Sequence, residues 1–462
     1  VLTCLQVKSV FLKKEGWSST AHNLTSFQFQ FRNYRKLNNI FNKKIVLWHK
    51  KDMKNLIFYL IVLIIGFSMN SCSEDEISLD LNPSTINLNP QAPEIIKSNN
   101  SFGLELFNKV SEETEDNLMM SPLSASTALN MLLNGCESET YDQLKNTLAY
   151  PDGMDIQEIN ETYKMLIKQL LEADPQVKMS LANAAFYREQ FIVKQSYKDI
   201  LTQDFMANVQ ALDFNQPSAL NTINQWASDN TNGKIPEVLS SISSDAVMFL
   251  MNALYFKGDW TYQFDKSKTA PSSFFLENGN QIQVDMMKGS IGSKRTSQSG
   301  AAIIEMPYGR TNFSMVVMVP NNSISEFVSS LDASVWNEIT TSLDRQNEWS
   351  EFDVMMPKFK FSNEKYLNDQ LQSMGMIDAF SPSKADLSGI SNANIYVSFV
   401  KQNTFVEVNE EGTEAAAVTT VSITLTSLSQ NFPVNKPFVF AIRERTTNTL
   451  MFLGKVMNPL EN

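Results

Sequence analysis

Glu410-Glu411-Gly412-Thr413-Glu414-Ala415-Ala416-Ala417-Val418-Thr419-Thr420-Val421-Ser422-Ile423-Thr424-Leu425-Thr426-Ser427-Leu428 is patterned as a strand and flanked as a loop. Read at every second residue, one face is Thr413, Ala415, Ala417, Thr419, Val421, Ile423 and Leu425. The other is Glu414, Ala416, Val418, Thr420, Ser422, Thr424 and Thr426. The first face is small or apolar and the second mostly polar, the alternation of a strand half-buried in a sheet. Gly412 and the three alanines make a flexible hinge of low bulk, and residues 427–431 are polar. Such a segment is either an ordinary antiparallel strand or a chain with two states, one exposed and one inserted into a sheet.

The chain has 462 residues, 43% hydrophobic and 19% charged, as in a globular protein. Three segments differ in character. Residues 1–52 are basic and rich in aromatics and Asn, residues 53–71 are apolar, and the remainder is acidic. The apolar segment opens Met53-Lys54-Asn55, runs almost wholly apolar from Leu56 to Gly66, and ends Phe67-Ser68-Met69-Asn70-Ser71-Cys72. A short basic start, an apolar run and a small residue before Cys make a bacterial signal peptide; it resembles a lipoprotein signal, which implies that Cys72 is lipidated and becomes the mature N-terminus. A transmembrane anchor is the alternative, although the run is short for a span. Ser73-Glu74-Asp75-Glu76 reads either as a surface-export signal or as solvated linker. Residues 1–52 precede a complete signal and are expected to be an upstream extension of the reading frame. Residues 72–97 are expected to form an acidic and polar tether, and residues 98–462 one large domain.

These boundaries limit the chemistry. His22 and His49, the two histidines of the chain, both precede Met53. The mature protein then has no Ser-His-Asp or Cys-His site and no His-ligated zinc; no metal, cofactor or catalytic residue is expected. With Cys4 removed and Cys72 acylated, Cys136 is alone and reads as buried core. Residues 1–71 hold eleven of the 38 Lys and Arg and two of the 50 Asp and Glu, which leaves 27 basic against 48 acidic residues, net −21. That balance argues against nucleic acid or a polyanionic glycan as partner.

Along the domain, apolar spacing predicts helices over residues 100–110, 140–148, 156–171, 197–205, 223–231 and 366–374, the last ended by Gly375. Ser121-Pro122 starts a further helix as cap and first turn. Residues 180–187 read as a strand, and residues 249–256 as a strand buried on both faces. From Phe274 onward strands predominate, over residues 281–287, 301–306, 313–319, 351–359, 399–408, 438–443 and 450–456. Helices first and strands later give an α+β domain.

Short blocks then occur in a fixed order. They run from Met120-Ser121-Pro122-Leu123-Ser124 through Ile223-Asn224-Gln225-Trp226, Thr231-Asn232-Gly233-Lys234-Ile235 and Met251-Asn252-Ala253-Leu254-Tyr255-Phe256-Lys257-Gly258-Asp259-Trp260. Glu305-Met306-Pro307-Tyr308, Met356-Pro357-Lys358-Phe359 and Ala385-Asp386-Leu387-Ser388-Gly389-Ile390 come next. The hinge, Asn435-Lys436-Pro437-Phe438 and Gly454-Lys455-Val456 close the series. Over residues 98–462 the sequence resembles a serpin. The resemblance implies a large central sheet with about eight helices, a further sheet and barrel-like part, and an exposed reactive-centre loop at about residues 410–432.

It also implies roles for residues. Ser121, Ser124 and Asn252 match the polar cluster beneath the opening of the central sheet, and Gln402 stands where the family usually has a histidine. Trp260 matches the aromatic at the sheet top; as plain sequence, each of these is equally a helix cap, strand amide or core residue. Counting from Glu410 and from Pro437 puts the scissile bond at Thr426–Ser427, with Leu425 and Leu428 as alternatives. The implied activity is suicide inhibition of a serine protease, and the small and aliphatic residues at that bond suit an elastase-like enzyme. Chymotrypsin-like, subtilisin-like and cysteine proteases stay open as targets, and so does a non-inhibitory surface-binding serpin. The chain is expected to be a monomer prone to loop–sheet polymers, held in the bacterial cell envelope as an outer-membrane lipoprotein facing either the surface or the periplasm. The helix matched to the family's glycan site, residues 140–148, carries one basic residue, Lys145, so no heparin-type activation is expected.

Overall fold

The protein is described here by a computed structural model covering residues 81–413 and 431–461. The upstream extension, the leader, Cys72 and the tether up to residue 80 lie outside these residues. So do Glu414, Ala415, Ala416, Ala417, Leu425, Thr426, Ser427 and Leu428 of the loop.

The chain lies against the body before its first helix. Thr311 Oγ1 donates to the Leu81 carbonyl at 2.7 Å, and Ser84 exchanges two bonds with the Asn312 amide at 2.7 and 2.8 Å. Helix α1 (Ala92–Glu112) begins ahead of the boundary expected at residue 98, because Ile95 and Ile96 share the buried face of Phe102, Leu106, Phe107 and Val110. Strand β1 (Leu118–Met120) leads to α2 (Pro122–Leu133), where Ser121 Oγ accepts from the Ser124 amide at 3.2 Å and Pro122 fills the first turn. Then come α3 (Ser138–Thr147), α4 (Ile156–Glu172), β2 (Val177–Arg188), α5 (Gln195–Gln203), β3 (Asn208–Leu212), α6 (Pro217–Asn230) and β4 (Met248–Asp259). The second half contains β5 (Ala270–Phe275), β6 (Gln281–Gln298), β7 (Ala301–Tyr308), β8 (Phe313–Pro320), α7 (Ile324–Ser330) and α8 (Ala333–Asp344). It continues through β9 (Ser350–Pro357), β10 (Phe359–Tyr366), α9 (Asn368–Ser373), β11 (Lys401–Val408) and β12 (Gly412–Thr413). Strands β13 (Asn431–Pro433), β14 (Phe438–Glu444) and β15 (Thr449–Val456) complete it.

Six strands form one sheet in the order β10-β11-β12-β4-β2-β3. The other runs β1-β15-β14-β8-β7-β6-β9-β13, with β5 added on β6. Strand β6 joins its parts: residues 281–286 pair with β5, 286–293 with β9 and 294–298 with β7. Helix α2 packs against β4 of the first sheet and β15 of the second, and all its residues are buried. This is an α+β fold with nine α-helices among the described residues.

Four further expectations change. The strand expected over residues 351–359 is two strands in two sheets. Pro357 ends β9, and the Lys358 amide turns to the Asp285 carbonyl at 2.9 Å before β10 starts. Tyr366 does not begin a helix; it is the last residue of β10, paired with Lys401, and α9 starts two residues later. Two helices, α7 and α8, sit among the later strands, capped by Ser323 and Asp332. Strand β4 is not buried on both faces throughout: Leu250, Leu254 and Tyr255 are half-exposed.

One ion cluster lies inside the second sheet. Arg443 on β14 is fully buried and donates to Glu305 Oε1 on β7 at 2.7 and 3.0 Å and to both oxygens of Asp344 at 2.6 and 2.9 Å. Burial pushes the Glu305 carboxyl up, but the charges of Arg443 and Arg445 outweigh it and hold it below the usual range.

Candidate functional site

The hinge is a tight reversal at the end of β11. Asn409 N donates to the Gly412 carbonyl at 2.9 Å, and Asn409 Oδ1 accepts from the Glu411 amide at 3.0 Å. Asn with Gly three residues on is turn chemistry, and Asn409 was not singled out from the sequence. The reversal sends Gly412 and Thr413 between β11 and β4. Thr413 pairs with Val408 on one side and Gly258 on the other, and Gly412 pairs with Asp259. Only glycine fits at 412: a Cβ there would stand 2.1 Å from the Gly258 carbonyl oxygen.

Side chains close the site from beneath. The Thr413 hydroxyl, buried, lies 2.6 Å from the Tyr308 hydroxyl. The Tyr308 ring stacks on Trp260 at 4.4 Å and 10°, and Phe256 meets it edge-on at 5.3 Å. Trp260 Nε1 donates to the Asn409 carbonyl at 3.0 Å, and its amide donates to the Glu411 carbonyl at 2.7 Å. Burial pushes the Tyr308 phenol far up, only partly offset by its bond to Thr413, so it stays protonated.

Two carboxylates fix the turn from above. Glu411 pairs with Lys266. Glu410 is buried, with Lys358 Nζ at 3.1 Å from Oε2 and Thr269 Oγ1 donating to Oε1 at 2.8 Å. Burial pushes the Glu410 carboxyl up. Hydrogen bonds from its own amide, Thr269 and Lys358, with the Lys358 charge, outweigh this and hold it below the ordinary glutamate value. The stabilisation is therefore full above the unfolded value of about 4.3 and is lost as pH falls through the lower folded value. The thermal midpoint should drop in that acid window, and Glu410→Gln should lower it at pH 7 while flattening the acid drop. An equal acid drop in the variant would assign the effect to other groups. Lys358 lies in the Met356–Phe359 block, which suggested no role for it, and Thr269 gave no sequence signal.

Below Thr413 no described strand fills the place between β4 and β11. Among the described residues β12 alone bridges β4 and β11, and no ladder joins those two strands directly. A slot runs between them, walled by Leu254, Tyr255 and Phe256 on one side and by Thr404, Phe405 and Val406 on the other.

The polar residues expected beneath the opening form one network. Gln402 Oε1 accepts from the Ser121 amide and its Nε2 donates to the Ser121 carbonyl, both at 3.2 Å. Ser121 Oγ donates to the Met451 carbonyl at 2.8 Å, tying β15 to the start of α2. Ser124 Oγ donates to Asn252 Oδ1, and Asn252 Nδ2 donates to Asn183 Oδ1 at 2.8 Å. Asn183, on β2, is an addition; its only sequence signal was an amide inside a predicted strand. Asn252 and Trp260 are separated along β4 by about 25 Å of strand at ~3.3 Å per residue, so the two clusters mark the middle and the top of one slot. Gln402 can donate and accept but does not titrate near neutrality.

Known proteins resemble this chain over most of its length. A family model described as serpin (serine protease inhibitor) matches residues 97–459. An uncharacterized serpin-like protein of Methanosarcina mazei is 30% identical over 427 residues, which is 88% of this chain and 99% of that protein. Leukocyte elastase inhibitor of Xenopus laevis is 33% identical over 374 residues, 78% of this chain and 97% of the relative. The crystal structure of the thermophilic serpin tengpin in its native state matches with a TM-score of 0.72 at 30% identity, covering 81% of this chain and 96% of tengpin.

Proposed function

The chain belongs to the serpin family, and from that premise we propose that it is a suicide-substrate inhibitor of elastase-like serine proteases. One observation supports this above the others: Gly412 and Thr413 already occupy the top of a slot between β4 and β11, two strands that nothing else joins among the described residues. In the proposed mechanism the protease serine attacks the Thr426 carbonyl. The Thr426–Ser427 bond breaks, Ser427 becomes the free amine of a C-terminal piece that β13, β14 and β15 keep in the second sheet, and Thr426 stays as an ester on the enzyme. The freed loop then fills the slot from Thr413 downward. Val421, Ile423 and Leu425 share the parity of Thr413, and each contributes roughly 1.5–3 kcal/mol on burial; new strand hydrogen bonds add about 1 kcal/mol apiece. Inhibition results when insertion outpaces deacylation, and the native state is kinetically held.

The target class is set by the loop. Residues 412–432 contain no Lys or Arg, and Thr426 is small while Leu425 is aliphatic. Elastase should be inhibited at least about tenfold faster than trypsin, with a complex that survives a denaturing gel. Faster inhibition of trypsin would overturn this choice of target. A non-inhibitory surface-binding serpin is the competing reading; it would yield cleaved fragments without a complex. The hinge speaks for inhibition, since residues 413–417 hold no bulky, charged or proline residue on the inserting parity.

We further propose that lipidated Cys72 anchors the protein to the cell envelope. Each buried CH₂ contributes roughly 0.8 kcal/mol, and stable anchoring takes at least two chains. Cys72→Ala should move the protein from the membrane fraction to the soluble one or block its processing. Full membrane retention with a mature end elsewhere would contradict the anchor.

A further inference from the structure

We infer that Tyr308 is a positioning residue for strand insertion: its phenol holds the Thr413 hydroxyl and keeps the first inward residue of the loop docked in the sheet before any protease arrives. The inference rests on the inhibitory reading above. Three features of the seat carry it. The two hydroxyls lie 2.6 Å apart with both residues buried. The Tyr308 ring is fixed on one side by stacking on Trp260 and on another by the edge of Phe256, so its hydroxyl has one place to be. Among the described residues the phenol's hydrogen-bond partner is Thr413, so releasing Thr413 would leave a buried donor unsatisfied.

The seat sets both the timing and the register of insertion. A strand that enters one residue out of step turns every side chain to the wrong face. With Thr413 fixed inward, Val421, Ile423 and Leu425 are committed to the same face before cleavage. Insertion then extends from an anchored end instead of searching for one. The same anchored end also favours slow insertion of the uncleaved loop, so the bond that improves trapping should shorten the shelf life of the active state.

The test uses Tyr308→Phe, which keeps the stacked ring, Thr413→Val, which keeps the shape, and the double variant. Tyr150→Phe is the comparison: that buried tyrosine bonds Asn130 and Tyr163 instead of the hinge. Against elastase, each hinge variant should raise the ratio of cleaved product to covalent complex by about two- to tenfold, the factor one buried hydrogen bond is worth. The double variant should do no more than either single one, because both remove the same bond. Spontaneous loss of activity on warming should slow in all three. Tyr150→Phe should lower the thermal midpoint without moving the partition. An unchanged partition, multiplying effects in the double variant, or faster loss of activity would overturn the role of Tyr308. If the parent itself forms no covalent complex, the inhibitory reading fails separately. Hydrogen exchange at the Thr413 amide then tests the seat: faster exchange in Tyr308→Phe upholds the docking contact, and equal exchange refutes it.

Discussion

Thr413→Arg is expected to convert the protein from an inhibitor into a substrate, with covalent complex reduced at least about tenfold while loop cleavage continues. Thr413 is 5% exposed and hydroxyl-bonded to Tyr308, whose ring is itself packed on Trp260 and Phe256. An Arg at this position must either bring its guanidinium into that apolar seat or leave the sheet. A buried charge without a partner costs several kcal/mol, and each ~1.4 kcal/mol on a barrier is tenfold in rate. The cost falls at the first inserting residue, so insertion slows before any of the later burial is realised. The proposed scissile bond is thirteen positions further along the sequence at Thr426 and keeps its side chains. Acylation should therefore proceed and hydrolysis should win. Thr420→Arg carries the same charge at the opposite parity and should trap elastase nearly as well as the parent. Trapping by Thr413→Arg at the parent level, or equal failure of Thr420→Arg, would show that the insertion register is wrong.

Arg443→Met should produce the largest loss of stability. Removing Arg443 strips the fully buried Glu305 of two hydrogen bonds and leaves it with Arg445 Nε at 3.6 Å and the charge of Lys294 across the strand pair. Breaking a buried pair from one side typically costs about 3–5 kcal/mol, because the abandoned charge stays desolvated. The double variant Arg443→Met with Glu305→Met should recover most of that loss, since well-packed apolar residues replace buried pairs at little cost. Denaturant unfolding of the two single variants and the double variant decides this. A double variant less stable than Arg443→Met alone would mean that the pair itself, and not the orphaned charge, holds the sheet.

Most helices and strands were legible because their signals are local. Ser121-Pro122 announced α2 as cap and first turn, and the structure shows that cap. Gly375, at φ +110°, does come after the end of α9. The missed helices were also written locally: Ser323 stands three residues before Glu326, a capping-box spacing, and Asp332 caps α8. They were hidden by the strand-rich sequence around them. The split at Lys358 was not legible, because Met356 and Phe359 read as one apolar alternation and only the second sheet tells the chain where to cross.

The site divides in the same way. Gly412, Thr413, Trp260, Ser121, Ser124, Asn252 and Gln402 could be named because short blocks carried them. Their partners could not. Tyr308 and Lys358 stand in quoted blocks as well, but Tyr308 ends β7 and Lys358 lies between β9 and β10, both far along the chain from the hinge, and Asn183 reaches Asn252 across a strand pair. Such contacts depend on sheet order, which no single segment encodes. Glu305 and Arg443 each look out of place in an apolar strand, and only β8 between β7 and β14 brings them within reach.

The most direct test is the mass of the products formed with elastase. The proposal predicts, once the products are denatured, a covalent complex lighter than the sum of its components by the peptide from Ser427 to Asn462, together with that peptide, which β13, β14 and β15 hold in the second sheet until then. Complete cleavage at the loop with both components recovered separately, and no covalent species at any ratio, would contradict inhibition by strand insertion.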